Sequence, residues 1–274
     1  MGLNLTNDHQ VIIVHLQRAI ECNEFEVYYQ PQINIMTKEV SGIEALIRWK
    51  HPYFGWIPPL HFIPIAEETG DIIQIGKMVL KKACQQIHEL HELGYKKLKL
   101  AVNISPNQIE QPDFLETVQN ILIEENFNPR NLEFEITEHA VMKPSRSGLE
   151  MIHALKEMGI HFAVDDFGTG FSSLSNLQLF PFDTLKIDKS FLHDINEDSV
   201  NTALVESMIT LAKKLKIRLV AEGVETVEQL NFLKQSQCHE VQGYIFAKPM
   251  PFTQLMVYLL EKTNERTFQS LFPI

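Results

Sequence analysis

Positive charge is in short supply. The chain has 24 lysines and arginines against 35 aspartates and glutamates, a formal net charge of −11. That balance excludes a sequence-independent binder of nucleic acid, which needs a basic patch. The one short basic cluster, Lys96-Lys97-Leu98-Lys99, reads as a solvated lead-in to a strand. Cysteine is scarce too. Cys22, Cys84 and Cys238 form no close pair and no metal-like spacing. An odd count without a framework points to a reducing compartment. Long apolar runs are missing, and Val11 to Val14 is far too short for a signal-peptide core or a membrane span. A soluble cytoplasmic domain without a membrane span is therefore expected. No linker rich in Pro, Gly or Ser divides the chain, so 1–274 reads as a single domain, with residues 1–8 as a poorly ordered leader. A Gly-x-Gly-x-x-Gly turn after the first strand is absent, which weakens a dinucleotide fold. Asp166-Phe167-Gly168 suggests a kinase, but no nucleotide-binding glycine loop and no His-Arg-Asp loop accompany it.

What is present is a core. Hydrophobic residues make up 45% of 274 positions, ample for one barrel-like domain. Residues 9–22 read as a helix. Phe25 to Gln30 alternates and is aromatic, so it reads as a strand. A turn at Thr37-Lys38 reverses the chain into Val40 to Trp49, an antiparallel hairpin. Glu44 and Arg48 are charges inside that apolar run, and their even spacing points them to one face. Short helical sequence covers 60–68. A long amphipathic helix covers 71–93, with Gly94 suited to its C-terminal cap. His88 and His91, on consecutive turns, allow a metal site, but their neighbours Glu89 and Glu92 argue for a solvated face.

From there strand alternates with helix. The strands are Leu98 to Val102 ending in Asn103, Leu132 to Ile136 with Glu133 and Glu135, and Phe162 to Val164 ending in Asp165-Asp166. Thr184 to Ile187 with Lys186, Ile217 to Ala221 ending in Glu222, and Val241 to Tyr244 with Gln242 follow. Helices are expected at 144–158, 199–215, 226–236 and 252–262, with Leu204, Met208, Leu211 and Leu215 inward on the second. Alternation argues for a parallel sheet. Eight strands in about 250 residues argue for a closed (β/α)8 barrel over an open doubly wound sheet, and the antiparallel start departs from the regular barrel.

In such a barrel the site lies at the carboxyl ends of the strands. The polar residues there are Glu44, Asn103, Glu135, Asp165, Asp166, Lys186, Glu222 and Gln242. Each has a bland alternative: Glu135 as a rim salt bridge, Lys186 as a partner for Asp188, Asn103 as a cap, one aspartate as another. Together at matching ends they are hard to read as accidents, because an acidic mouth this dense repels itself when empty. Carboxylates and amides without cysteine or histidine suit Mg²⁺ or Mn²⁺. Two adjacent aspartates let one carboxylate bridge two ions ~3.5–4 Å apart, the device for in-line attack on a phosphodiester. Lys186, with a reference pKa of ~10.4, stays protonated beside them.

Tyr29-Gln30-Pro31, Glu44-Ala45-Leu46-Ile47-Arg48-Trp49, Phe62-Ile63-Pro64, Asn103-Ile104-Ser105 and Glu135-Ile136-Thr137-Glu138 complete a pattern. So do Asp165-Asp166-Phe167-Gly168-Thr169-Gly170, Lys186-Ile187-Asp188, Glu222-Gly223-Val224-Glu225 and Gln242-Gly243-Tyr244. With these stretches the chain resembles the EAL-domain cyclic-di-GMP phosphodiesterases, bacterial signalling enzymes that hydrolyse the messenger to linear pGpG. The resemblance implies a modified barrel with one antiparallel strand and two ions, Mg²⁺ or Mn²⁺, with Ca²⁺ inhibitory. It implies Glu44, Asn103, Glu135 and Asp165 as ligands of one metal, Asp165 and Asp166 of the second, and Glu222 and Gln242 as outer ligands. Lys186 is implied to contact the attacking water. Arg48, Gln30, Leu46, Pro64 and Gln242 are implied on the substrate, and Glu138, with Thr169 and Ser172, as anchor of the 165–173 loop. Phe171 departs from the family's frequent tyrosine. A homodimer is also implied. The alternative is a catalytically silent cyclic-di-GMP receptor, which usually lacks one or more of these acids.

Overall fold

A computed structural model of the chain describes residues 9–141, 145–170, 180–193, 195 and 199–263. Strands β1 (Phe25–Asn34) and β2 (Glu39–His51) form the first hairpin, and β3 (Gly55–Ile57) folds back antiparallel on β2. Then come β4 (Lys99–Asn103), β5 (Leu132–Thr137), β6 (His161–Phe167), β7 (Thr184–Ile187), β8 (Arg218–Ala221) and β9 (Glu240–Val241). A last strand, β10 (Met250–Pro251), lies along β1.

Hydrogen bonding runs β1–β2–β4–β5–β6–β7–β8–β9 and returns from β9 to β1, so eight strands close into a barrel. β1 is antiparallel to both neighbours, and the other junctions of the barrel are parallel. The expected barrel with one antiparallel strand is the observed fold. β9 is shorter than expected. It ends at Val241, and Gln242 to Tyr244 are held as a loop by Gln242 N to Ala221 O (2.8 Å) and Val224 N to Gln242 O (3.1 Å). Gly243 is required there, because a Cβ would sit 2.0 Å from the Val224 carbonyl oxygen.

The outer strand faces pack under helices. Trp49, Tyr29, Phe62, Phe134 and Phe162 are among the largest fully buried side chains. The long helix Ile72–Glu92 buries Ile75, Val79, Ala83, Ile87 and Leu90 along one stripe, as its amphipathic sequence requires, and Gly94 follows at φ 106. His91 differs from expectation. Its ring is buried, donates to the Leu98 carbonyl at 2.9 Å and stacks on Phe127, because it faces the start of β4 rather than water. On helix Val200–Leu215 the inward residues are Val205, Met208, Ile209 and Ala212, while Leu204 and Leu215 are exposed. The helix is rotated relative to the expected stripe. The span 106–126 is two helices, Pro106–Ile109 and Phe114–Glu124.

The barrel interior is polar in layers. In its lower half, away from the strand ends, Arg218 donates to Glu133 (3.2 and 3.1 Å), Glu240 (2.9 and 2.7 Å) and Gln32 (3.1 Å). Thr184 adds a hydrogen bond to Glu133 at 2.6 Å. Glu133, Thr184 and Glu240 stand two residues before Glu135, Lys186 and Gln242, so strand alternation stacks this layer beneath the next. These hydrogen bonds, with only Gln32 Nε2 of the layer left without a partner among the described residues, hold the register on which the upper layer depends.

Candidate metal centre

The upper layer converges on Lys186 of β7, 1% exposed. Its ammonium lies 2.6 Å from Glu222, 2.7 Å from Glu135, 3.2 Å from Asp165 and 3.8 Å from Glu44. These residues come from β7, the end of β8, β5, β6 and β2, brought together by closure of the barrel. Glu44 is further held by the Asn103 amide at 2.8 Å and by Gln242, whose amide also reaches Gln30 at 3.1 Å. Gln30 in turn donates to the Ala247 carbonyl at 3.0 Å. The bland alternatives therefore do not describe the site. Glu135 is not at a rim, Lys186 is not paired with Asp188, and Ser105 rather than Asn103 caps the following helix. Asp188 caps its own turn through Ser190 N (3.0 Å).

The aspartates need a special backbone. In a regular strand Asp165 and Asp166 would point to opposite faces. Here the β6–β7 register shifts between Val164 and Phe167, and Asp166 takes φ 54. A bulge of this kind re-aims a side chain next to a site. Donor atoms of Asp165, Asp166 and Glu222 consequently all lie within 4.8 Å of one another.

The charge states follow from burial. Burial works against the Lys186 charge, and Asp165, Glu135, Glu222 and Glu44 more than offset it, holding the ammonium well above the ordinary lysine range. Burial also pushes Glu44 up, but Lys186 and the amides of Gln242 and Asn103 outweigh it and leave that carboxyl below its usual range. Glu135 is driven well above the carboxylate range by burial and by Glu44. Glu222 is pushed up to about 8 by burial, with Lys186 opposing, and Asp166 to about 6 by burial and Asp165.

Oε1 of Glu135 and Oε1 of Gln242 are buried without a hydrogen-bond donor, and Oε2 of Glu135 and Oδ1 of Asp165 are buried with the Lys186 ammonium beside them at 2.7 and 3.2 Å. Buried acceptors of this kind are costly and call for a partner. Hard oxygen donors with open lone pairs, at carboxylates that repel one another, fit divalent cations. Glu44, Asn103, Glu135, Asp165, Asp166, Glu222 and Gln242 all stand in or beside this cluster.

Glu138 begins the turn after β5 and is fully buried. Its Oε2 accepts from the backbone amides of Gly168 (2.7 Å) and Gly170 (3.2 Å). Gly168 takes φ 98, and a Cβ there would meet Met208 at 2.6 Å. The Thr169 hydroxyl does not reach Glu138; it donates to the Asp166 carbonyl at 2.8 Å and closes the turn. Ser172 and Phe171 lie outside the described residues. Leu46 and Arg48 continue the Glu44 face of β2, and Arg48 sits 5.9 Å over the Tyr28 ring. Pro64 is exposed inside the helix Pro59–Thr69 and is not bonded to the cluster. The bulge at Asp166 and the Gln30–Gln242–Glu44 chain are the parts the sequence reading did not identify. The Asp-Asp pair at a strand end signals a bulge only once both are required on one face.

Residues 13–249 match the family described as EAL domain. The chain belongs to that family. This EAL domain is 46% identical over 243 residues to an uncharacterized signaling protein of Caulobacter vibrioides, covering 89% of the chain and 30% of that protein. It is 37% identical over 256 residues to the bifunctional diguanylate cyclase/cyclic di-GMP phosphodiesterase MucR of Pseudomonas aeruginosa, covering 93% of the chain and 37% of MucR. The chain thus spans about a third of the length of these relatives. The solved MucR phosphodiesterase in complex with c-di-GMP superposes with a TM-score of 0.84 at 37% identity, over 92% of this chain and all of that one. The cyclic-di-GMP phosphodiesterase family is thereby supported, and the acidic cluster fits the metal dependence of its enzymes. Among the described residues no helix is long and apolar enough to cross a membrane.

Proposed function

We propose that this EAL domain is a phosphodiesterase that opens cyclic-di-GMP to linear pGpG, using two divalent ions, Mg²⁺ or Mn²⁺. The observation that carries the reading is the convergence of Asp165, Asp166 and Glu222 within 4.8 Å beside Glu135 and Glu44, a set of carboxylates that the single Lys186 ammonium does not balance. Glu44, Asn103, Glu135 and Asp165 would hold one ion, Asp165 and Asp166 the other, with Glu222 and Gln242 as outer ligands. When bound there, the ions would supply a nucleophile from water at neutral pH and Lewis-acid stabilisation of the phosphate. Water adds to phosphorus, the P–O3′ bond breaks, and the departing 3′ oxygen takes up a proton. Lys186 faces the charge that develops at phosphorus. Arg48 would hold a phosphate or guanine, and Gln30, Leu46 and Pro64 would line the base pockets. We place the domain, a single folding unit, in the cytoplasm as a homodimer. Its free thiols Cys22, Cys84 and Cys238 suit a reducing compartment.

The direct test is to mix purified protein with cyclic-di-GMP and Mg²⁺ and identify the product by mass. Appearance of pGpG is expected. Tight binding with the cyclic compound recovered intact would instead support the silent receptor.

The loop gives a further prediction. Asp165 and Asp166 precede a turn whose two amides end on Glu138. Glu138→Ala removes the one oxygen that accepts from both amides while leaving the barrel strands untouched. Misplacing a ligand by about an ångström costs up to ~10²-fold in rate, so turnover should fall by about tenfold to a hundredfold, with the second ion weakened more than the first. Titrating Mg²⁺ into the variant while following turnover and circular dichroism checks this. Wild-type activity at ordinary Mg²⁺ would show that the loop does not rely on Glu138.

A further inference from the structure

An aromatic and cationic wall climbs from the metal centre along β1, β2 and β3. Across these strands Gln30 faces Glu44, Tyr28 faces Leu46, Glu26 faces Arg48 and Trp56 faces Lys50. Gln242 bridges Gln30 and Glu44, which fixes their face as the one turned to the site. The period of two then carries Leu46, Tyr28, Arg48, Lys50 and Trp56 up the same face, with the exposed carboxylate of Glu26 across from Arg48. The rings lean together. Trp56 meets Tyr28 edge-on at 5.7 Å, and Tyr28 is one rung, about 7 Å, beyond Gln30. Arg48 covers Tyr28, and Lys50 covers one face of Trp56 at 5.6 Å. Trp56 remains 50% exposed. An indole held on one side by its neighbours and open on the other is a stacking platform, and two cations beside it sit at odds with the acidity of the chain.

We propose that Trp56 stacks on the base of the outer nucleotide of the dinucleotide substrate, the one whose phosphate is not being cut. Trp56 is then a substrate-binding residue for the reaction proposed above, and the inference rests on that reading. A base presents a flat apolar face to the indole, while its anionic backbone is drawn to Arg48 and Lys50. Base-on-aromatic stacking gains enough that losing the ring typically weakens binding by about fivefold to a hundredfold. Because this contact is distant from the phosphorus that reacts, it is made equally before and during bond breaking. Its loss therefore belongs in KM rather than kcat.

The chain has two tryptophans, and the other, Trp49, is fully buried with its N–H on Glu24. Fluorescence thus reports on Trp56 separately from turnover. Cyclic-di-GMP added to the wild-type protein with Ca²⁺ in place of Mg²⁺ should quench the exposed tryptophan. Trp56→Phe should abolish that quenching while keeping much of the affinity. Trp56→Ala should raise KM about tenfold with a far smaller change in kcat. Calorimetry and product analysis on the wild type come first. If cyclic-di-GMP gives neither heat nor pGpG, the phosphodiesterase reading fails and this proposal with it. If the wild type binds or cleaves it without quenching, and Trp56→Ala keeps the wild-type KM, the stacking proposal alone is overturned.

Discussion

Lys186→Ala is expected to lower turnover by about a thousandfold, at the upper end of what removing a preorganised charge costs in an enzyme site. The structure explains why the effect should be large. Among the described residues, Lys186 is the cation within ion-pair range of Glu44, Glu135, Asp165 and Glu222. It is buried, so its field is poorly screened. On the proposed mechanism its removal takes away a charge aimed at the reacting phosphate, and it releases the repulsion among the carboxyls. Breaking a buried ion cluster from one side costs about 3–5 kcal/mol of stability, so the metal-free variant should also melt earlier. Lys186→Met keeps most of the volume and separates the two effects. Both variants should regain stability when Mg²⁺ is added, yet neither should regain turnover. Affinity for cyclic-di-GMP should stay near that of the wild type, because Arg48 and the base-facing residues are untouched. Retention of most of the wild-type rate in both variants would remove Lys186 from the mechanism.

Removing the metal is expected to abolish hydrolysis altogether, and the affinity for metal should depend steeply on pH. Without metal, burial and Glu44 hold Glu135 well above the carboxylate range, and burial pushes Glu222 up to about 8, so Glu222 carries a proton at pH 7. Ions bind carboxylates, so loading the site at pH 7 must expel protons. Each proton expelled makes affinity rise by about tenfold per pH unit. With at least one released, affinity should climb by about a hundredfold from pH 6 to 8. The sign for stability is the opposite. The raised Glu222 carboxyl favours the metal-free fold fully below its unfolded value of 4.5, and that contribution is lost as pH rises through about 8. Metal should therefore stabilise the protein most at the alkaline end of this window. Mg²⁺ titrations by calorimetry in buffers of different ionisation enthalpy would count the protons. Metal affinity that is flat from pH 6 to 8, or hydrolysis that survives excess EDTA, would refute the assignment. Ca²⁺ should bind yet inhibit, since its larger and looser shell positions water and phosphate less tightly.

Much of this protein was legible along the chain because strands and helices announce themselves by local period. The hairpin around Thr37-Lys38, the helix ending before Gly94 and the parallel strands ending in Asn103 and Asp165 all follow from side-chain alternation and caps. The polar strand ends named the cluster, since a barrel gathers those ends at one mouth whatever the loops between them do. Other features depend on neighbours far away in sequence. His91 reads as solvated from its own helix, yet it is buried against Leu98 and Phe127. The rotation of helix Val200–Leu215 is set by the strands it covers. Arg218 looks like an ordinary strand-end cation until β5 and β9 bring Glu133 and Glu240 within hydrogen-bond reach. The Asp165-Asp166 pair is the sharpest case. Composition says that two carboxylates adjoin, and strand geometry says that they diverge. Only the β6–β7 register shift, with Asp166 at φ 54, turns both toward Glu222. The sequence by itself determined which residues stand at the ends of the strands, because the period of a strand is a property of its own backbone. Tertiary structure alone decided which of them meet and in what protonation state, because burial, cross-barrel distance and the field of Lys186 arise only when the barrel closes.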